Sequence, residues 1–189
     1  LFVFMGISRA NAQGVQVGIM ELINQKQDKP RKIWAFDSFE GIPLATDKDD
    51  QQPGIGYFKN KTAKPTKKGK HLISSGISSH SLENVKLMLT GWCSNLKNFI
   101  FVEGWFEETI EKSKVKKIAL LRLDADLYES TKICLEVLYP KIQKGGVLII
   151  DDWALKGCRR ACDEYFESYE GLKPLKDFDT AEPMNFIKL

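Results

Sequence analysis

Ile118-Ala119-Leu120-Leu121-Arg122-Leu123-Asp124 and, after a helical stretch, Val147-Leu148-Ile149-Ile150-Asp151-Asp152 decide the fold. Both runs are short and apolar, interrupted only by Arg122, and both stop on acids. Between them, residues 127–143 place Ile133, Val137 and Leu138 at helical spacing, and Gly145-Gly146 reads as the end of that helix. Strand, helix and strand in this order make a parallel pair with a crossover helix. Continuous apolar strands suit a sheet buried on both faces.

The same alternation extends outward. Residues 1–7 read as a first strand, and residues 9–26 as a helix with Val15, Ile19, Leu22 and Ile23 on one side. Ile33-Trp34-Ala35-Phe36 is a strand stopping at Asp37. Ser81-Leu82-Glu83 opens a helix bearing Leu82, Val85, Leu89, Trp92 and Leu96. Asn98–Val102 is a strand ending at Glu103-Gly104, and residues 106–113 form a short helix. A helix over 155–169 follows Asp152, and strands near 173–178 and 184–188 finish the chain. The expectation is a single α/β domain over 1–189, a doubly wound, mostly parallel seven-stranded sheet. Residues 44–79 lack periodicity and read as a long loop or lid insertion, with six lysines between Lys59 and Lys70.

Composition sets limits. The 189 residues suit one domain, and a net charge of +3 is too small to argue for nucleic acid. No apolar run reaches the roughly 18 residues of a membrane helix, and the apolar opening has neither a basic flank nor a cleavage site. A cytoplasmic protein with neither membrane nor nucleic-acid partners is expected. Cys158 and Cys162 share one helix face with Tyr165, Phe166 and Tyr169, and read as buried thiols.

In open α/β sheets, ligands bind beyond the carboxyl ends of the strands, where strand order reverses. Gly6, Asp37, Glu103, Asp124, Asp151 and Asp152 all stand there. Crowded carboxylates repel unless a cation sits among them. Asp124, Asp151 and Asp152 therefore read as a site for a hard divalent ion, Mg²⁺ first. Asp37, after the second strand, is placed to accept the two hydroxyls of a cofactor ribose. The first turn, Gly6-Ile7-Ser8-Arg9-Ala10-Asn11, lacks the full glycine pattern of dinucleotide sites, which tilts the reading from NAD toward S-adenosylmethionine (SAM). An NAD-type oxidoreductase on the same sheet, or a degenerate domain with a binding role, are the alternatives at this point.

Longer motifs are more specific. Trp34-Ala35-Phe36-Asp37-Ser38-Phe39-Glu40-Gly41-Ile42-Pro43, Glu103-Gly104-Trp105-Phe106-Glu107-Glu108-Thr109, Leu121-Arg122-Leu123-Asp124-Ala125-Asp126-Leu127-Tyr128-Glu129-Ser130-Thr131 and Ile149-Ile150-Asp151-Asp152-Trp153 occur in order. Together they resemble the macrocin O-methyltransferase family across roughly 33–165. The resemblance implies a class I, Rossmann-like SAM-dependent methyltransferase that acts with Mg²⁺ on a hydroxyl of a sugar or similar diol, in a small molecule or glycan. It also implies a tendency to form homo-oligomers. Asp124, Asp151 and Asp152 match the family's metal acids and Asp37 its ribose acid. Gly6, Ser38, Glu103, Gly104 and Asp124 are further expected cofactor contacts. Two departures stand out: the family's first-strand acid is Phe4 here, and its second glycine is Ala10. The helices that precede the family's first strand are not in this sequence. His80, just before a helix, is the candidate base, a residue type suited to moving a proton near neutral pH. Asp126 is a candidate metal ligand or ligand support, and Trp105, Phe106 and Trp153 are candidate pocket walls.

Overall fold

The computed structural model describes residues 1–7, 13–49, 74–75, 78–167, 172–174 and 184–188. The strands are β1 (Phe2–Met5), β2 (Ile33–Asp37), β3 (Phe99–Glu103), β4 (Ile118–Leu123), β5 (Ile142–Ile150), β6 (Leu172–Pro174) and β7 (Met184–Lys188). The helices are α1 (Gln13–Gln25), α2 (Leu82–Thr90), α3 (Phe106–Thr109), α4 (Tyr128–Leu138) and α5 (Lys156–Phe166). One seven-stranded sheet forms in the order β3-β2-β1-β4-β5-β7-β6. Strands β1 to β5 pair in parallel, and β7 runs antiparallel between β5 and β6. Chain order reverses between β1 and β4, so the crevice of the doubly wound sheet opens at their carboxyl ends.

The alternation of side chains along each strand divides the core in two. Val3, Met5, Phe36, Leu121, Leu123, Leu148 and Ile150 pack on Cys134, Leu135 and Leu138 of α4 and Cys158 and Cys162 of α5. Phe4, Ile33 and Ala35 face the other way, toward Val17 of α1 and Val85 and Leu89 of α2. Both cysteines of α5 are buried free thiols, as their spacing predicts.

Three local expectations change. The helix after β4 stops earlier than its apolar pattern. Pro140 sits in a 3-10 turn, Tyr139–Lys141, and Ile142 already pairs with Ile118 in β5. Gly145 and Gly146 thus lie inside β5, at an irregularity between the Ile118 and Leu120 pairings, with Gly145 at φ +76. They shape a bulge rather than a helix cap.

Helix α1 is turned away from its expected face. Ile19, Leu22 and Ile23 are exposed, while Val17, Glu21 and Asn24 are buried. Gly18 explains the rotation, because a Cβ there would lie 2.4 Å from the Cβ of Trp92. The buried Glu21 carboxylate then accepts bonds from Asn24, Gln25 and Asn98 at 2.7–2.8 Å. Helix α2 is also shorter than its pattern. It runs from its N-cap Ser81 to Gly91, and leaves Trp92 exposed rather than in the core.

Most of the 44–79 insertion, including Lys59–Lys70, lies outside the described residues, as do Ser8–Ala12 of the first turn, Tyr169 and residues 175–178. No helix among the described residues is long and apolar enough to cross a membrane.

Candidate functional site

The parallel ladder carries each acid to one edge. Beyond the strands, Gly6 N–H donates to Phe36, Asp124 N–H to Met5, Gly104 N–H to Asp37 and Asp151 N–H to Leu123, all through backbone carbonyls at 2.8–3.1 Å. Gly6 has φ +73, and a Cβ there would lie 2.1 Å from the carbonyl oxygen of Asp124. Only glycine lets β1 turn that close to β4.

A cavity opens at this switch point. Its walls include Gly6, Asp37, Ser38, Trp105, Asp124 and Asp126, with Phe106, Glu107 and Ser130 beside them. Asp37 is buried, and its two oxygens accept the Ile7 and Phe39 amides at 2.7 Å each. Phe39 takes φ +57 to make its bond, an uncommon conformation for a bulky residue.

Asp124, Asp126 and Asp152 are all buried and each bring a carboxylate oxygen within 4.8 Å of the others. Asp126, at φ +55, donates its N–H to Asp152 at 2.9 Å. Burial, then Asp152 and Asp126, push the Asp124 carboxyl well above the usual carboxylate range, and Arg122 opposes this. Arg122 is buried within β4. Its guanidinium reaches Asp124 at 3.2 Å and the half-buried Asp151 at 2.8 Å. Among the described residues, the Arg122 guanidinium holds two of these four carboxylates. The all-oxygen donor set of Asp124, Asp126 and Asp152 fits a hard divalent cation.

The structure thus gathers Gly6, Asp37, Ser38 and Asp124 on the cavity and Asp124 and Asp152 in the acid cluster. Asp126 joins that cluster, while Asp151 turns to Arg122. Glu103 is exposed, and neither it nor Gly104 is among the cavity walls. Gly104, at φ +132, lies within 2.9 Å of Thr109 as judged from an added Cβ, so it serves the tight β3–α3 turn. His80 is half-buried beside the α2 N-cap, and Ser78, two residues earlier, reaches the cavity wall. Trp153 packs edge-on to Phe186, with Arg159 over its ring, away from the cavity.

Two residues carried no clear sequence signal. Arg122 is one charge in an apolar strand inside a quoted motif, and neither fact names Asp124 and Asp151 as its partners. Glu107 lies in a motif but looks like an ordinary helix acid. Both of its oxygens are buried without a hydrogen-bond partner among the described residues.

The chain has relatives. The family model described as Macrocin-O-methyltransferase (TylF) matches residues 5–183. The chain is 30% identical over 166 residues to the 8-demethyl-8-(2,3-dimethoxy-alpha-L-rhamnosyl)-tetracenomycin-C 4'-O-methyltransferase of Streptomyces olivaceus, covering 88% of this chain and 59% of that one. It is 31% identical over 166 residues to the demethyldecarbamoylnovobiocin O-methyltransferase of Streptomyces niveus, covering 87% and 57%. It spans less than three fifths of the length of these curated relatives. Among solved structures, the O-methyltransferase NovP matches with a TM-score of 0.74 at 24% identity, over 99% of this chain and 71% of that one. The calicheamicin methyltransferase CalS11 matches at 0.71 and 20% identity, over 98% and 71%. Both share the fold. By the span of the family match, this chain belongs to the macrocin O-methyltransferase family.

Proposed function

We propose that the chain transfers a methyl group from SAM to a hydroxyl of a sugar or similar diol-bearing acceptor, with a divalent cation, Mg²⁺ first, at the acid cluster. The observation that carries this reading is one cavity lined by both Asp37 and the Asp124–Asp126 wall, with Asp152 behind it. Asp37 would receive the ribose hydroxyls. Its two amide bonds fix the carboxylate in place on the cavity wall. Gly6 keeps the floor clear for the cofactor, and Ser38, Trp105 and Phe106 extend the same wall.

When bound, SAM supplies an electrophilic methyl and the cation lowers the pKa of the acceptor hydroxyl and orients it. Asp124, Asp126 and Asp152 would hold the cation. Arg122 holds Asp124 and Asp151 in place. His80 is the proposed proton acceptor, on the strength of its place beside the cavity segment that contributes Ser78. Positioning the hydroxyl in line with the methyl supplies much of the rate.

The relative named as a 4'-O-methyltransferase of a rhamnosyl tetracenomycin favours a deoxysugar acceptor. Self-association is also proposed, and light scattering in solution tests it. The functional test is transfer of labelled methyl from SAM to rhamnosyl glycosides bearing adjacent hydroxyls, with and without EDTA. Transfer that stops with EDTA, and with the acceptor lacking one hydroxyl, supports the reading. SAM binding with no transfer across the panel points to a binding domain instead.

A further inference from the structure

Asp49 is neither one of the three clustered acids nor a wall of the cavity, yet it grips the starts of two helices. It ends a 3-10 turn, Asp47–Asp49, and is half-buried. Its Oδ2 accepts the Thr46 N–H at 2.7 Å and the Thr46 hydroxyl at 3.0 Å. Its Oδ1 accepts the N–H of Tyr128, the first residue of α4, at 2.6 Å. Helix α4 brings no cap of its own, since Leu127 stands at its N-cap and makes no side-chain bond there. A carboxylate 79 residues away in the chain does that work. Lys48 ties down the same contact, with its Nζ 2.8 Å from Glu129 and 4.3 Å from the centre of the Tyr128 ring.

Helix α5 meets Asp49 from the other side. A Cβ on Gly157 would lie 2.2 Å from Asp49 Oδ1, so the first turn of α5 closes on the carboxylate only because it carries glycine. Both helices begin just after a turn that bears a clustered acid. Asp126 precedes α4 and Asp152 precedes α5. The two turns are joined by the Asp126 N–H bond to Asp152 at 2.9 Å, made with Asp126 at φ +55. Such a conformation persists only where its surroundings hold it. Asp49 holds the chain on both sides of that bond, and so sets the spacing of the two carboxylates.

We propose that Asp49 is a positioning residue for the divalent cation: by capping α4 at Tyr128 and abutting α5 at Gly157, it keeps Asp126 and Asp152 at the separation the ion requires. The assignment rests on the cation reading above. It makes cation affinity depend on a residue that does not touch the ion.

Calorimetric titration of Mg²⁺ into the wild type, Asp49→Asn, Asp49→Ala, Gly157→Ala and the double variant Asp49→Ala/Gly157→Ala tests it, with thermal melts to confirm folding. Asp49→Ala and Gly157→Ala should each weaken Mg²⁺ binding about tenfold or more. Alanine is the better helix former, so the Gly157→Ala loss comes from displacing Asp49 and not from a weaker helix. Asp49→Asn keeps a capping oxygen and should stay within about threefold of the wild type. The double variant should bind no more weakly than Asp49→Ala, because the added Cβ then has no carboxylate to displace. Binding of S-adenosylhomocysteine without metal should stay within about twofold throughout. The two single variants disturb one contact from opposite sides, so either decides the matter if the other does not fold. Wild-type Mg²⁺ affinity in a folded Asp49→Ala or Gly157→Ala, even with a lowered melting temperature, overturns the proposal, as do fully additive losses in the double variant. A wild type that binds no Mg²⁺ overturns the cation reading and this assignment with it, a result distinct from unchanged affinity in the variants.

Discussion

Replacing Arg122 by Met keeps the volume of the side chain in β4 and removes its charge. The Asp124 bond is fully enclosed, with both side chains no more than 4% exposed, whereas the Asp151 partner is 23% exposed. Removing one member of a buried pair typically costs about 3–5 kcal/mol, because a charge stays behind without compensation. The Asp151 half adds at most about 1 kcal/mol, since water screens it. Protonation of Asp124 sets a ceiling on the loss, as its carboxyl is already raised by burial and by Asp152 and Asp126. A loss of about 3 kcal/mol near pH 7.5 follows, or about 6–12 °C in Tm for a domain of this size. The sign of the pH dependence follows from the raised pKa. A carboxyl whose folded pKa exceeds its unfolded value favours the fold when protonated, and that contribution is lost as pH climbs from about 4 through the folded pKa. Removing Arg122 raises the folded pKa further, so the deficit of the variant should be smallest near pH 4–5 and grow toward pH 8. Mg²⁺ should shrink it, since a cation among the acids replaces the missing charge. Urea unfolding of both proteins from pH 5 to 8, with and without Mg²⁺, reads these quantities. A deficit below about 1 kcal/mol at pH 7.5, or one that grows on acidification, would refute the counter-ion role.

Gly6→Ala should lower stability by about 2–4 kcal/mol, from left-handed backbone strain plus the 2.1 Å approach to Asp124, and should abolish cofactor binding; thermal melts and calorimetry check both. Glu21→Leu should destabilise by about 2–4 kcal/mol in urea unfolding, because Asn24, Gln25 and Asn98 lose a shared buried acceptor. His80→Gln should lower kcat about 100-fold or more while leaving SAM affinity unchanged, measured by turnover and titration side by side; equal kcat removes His80 from the chemistry.

The architecture was legible because the strands are apolar throughout and end on acids. Ile33–Asp37 and Ile118–Asp124 could hardly be anything but buried parallel strands, and a parallel sheet puts their ends on one edge. The orientation of α1 was not legible. Ile19, Leu22 and Ile23 make the better apolar stripe, yet Gly18 must meet Trp92 and Glu21 must meet Asn98, contacts set by distant chain. The Gly145-Gly146 pair suggested a helix end because the sequence does not show that Ile142 is already paired with Ile118. Within the site, the acids were visible as acids, but their partners were not. Arg122 draws Asp151 aside, and the turn at Asp126 brings that residue to Asp152 instead. Glu107 was hidden for the opposite reason: what marks it is two buried oxygens with no hydrogen-bond partner among the described residues, which only the folded chain reveals.

Calorimetric titration of SAM into the purified chain, with and without Mg²⁺, beside Asp37→Ala and Asp152→Ala, is the most direct test. Micromolar SAM binding by the wild type is expected, with at least about tenfold weaker binding by Asp37→Ala and Mg²⁺ binding that Asp152→Ala loses. A folded wild type that binds no SAM under either condition would contradict it.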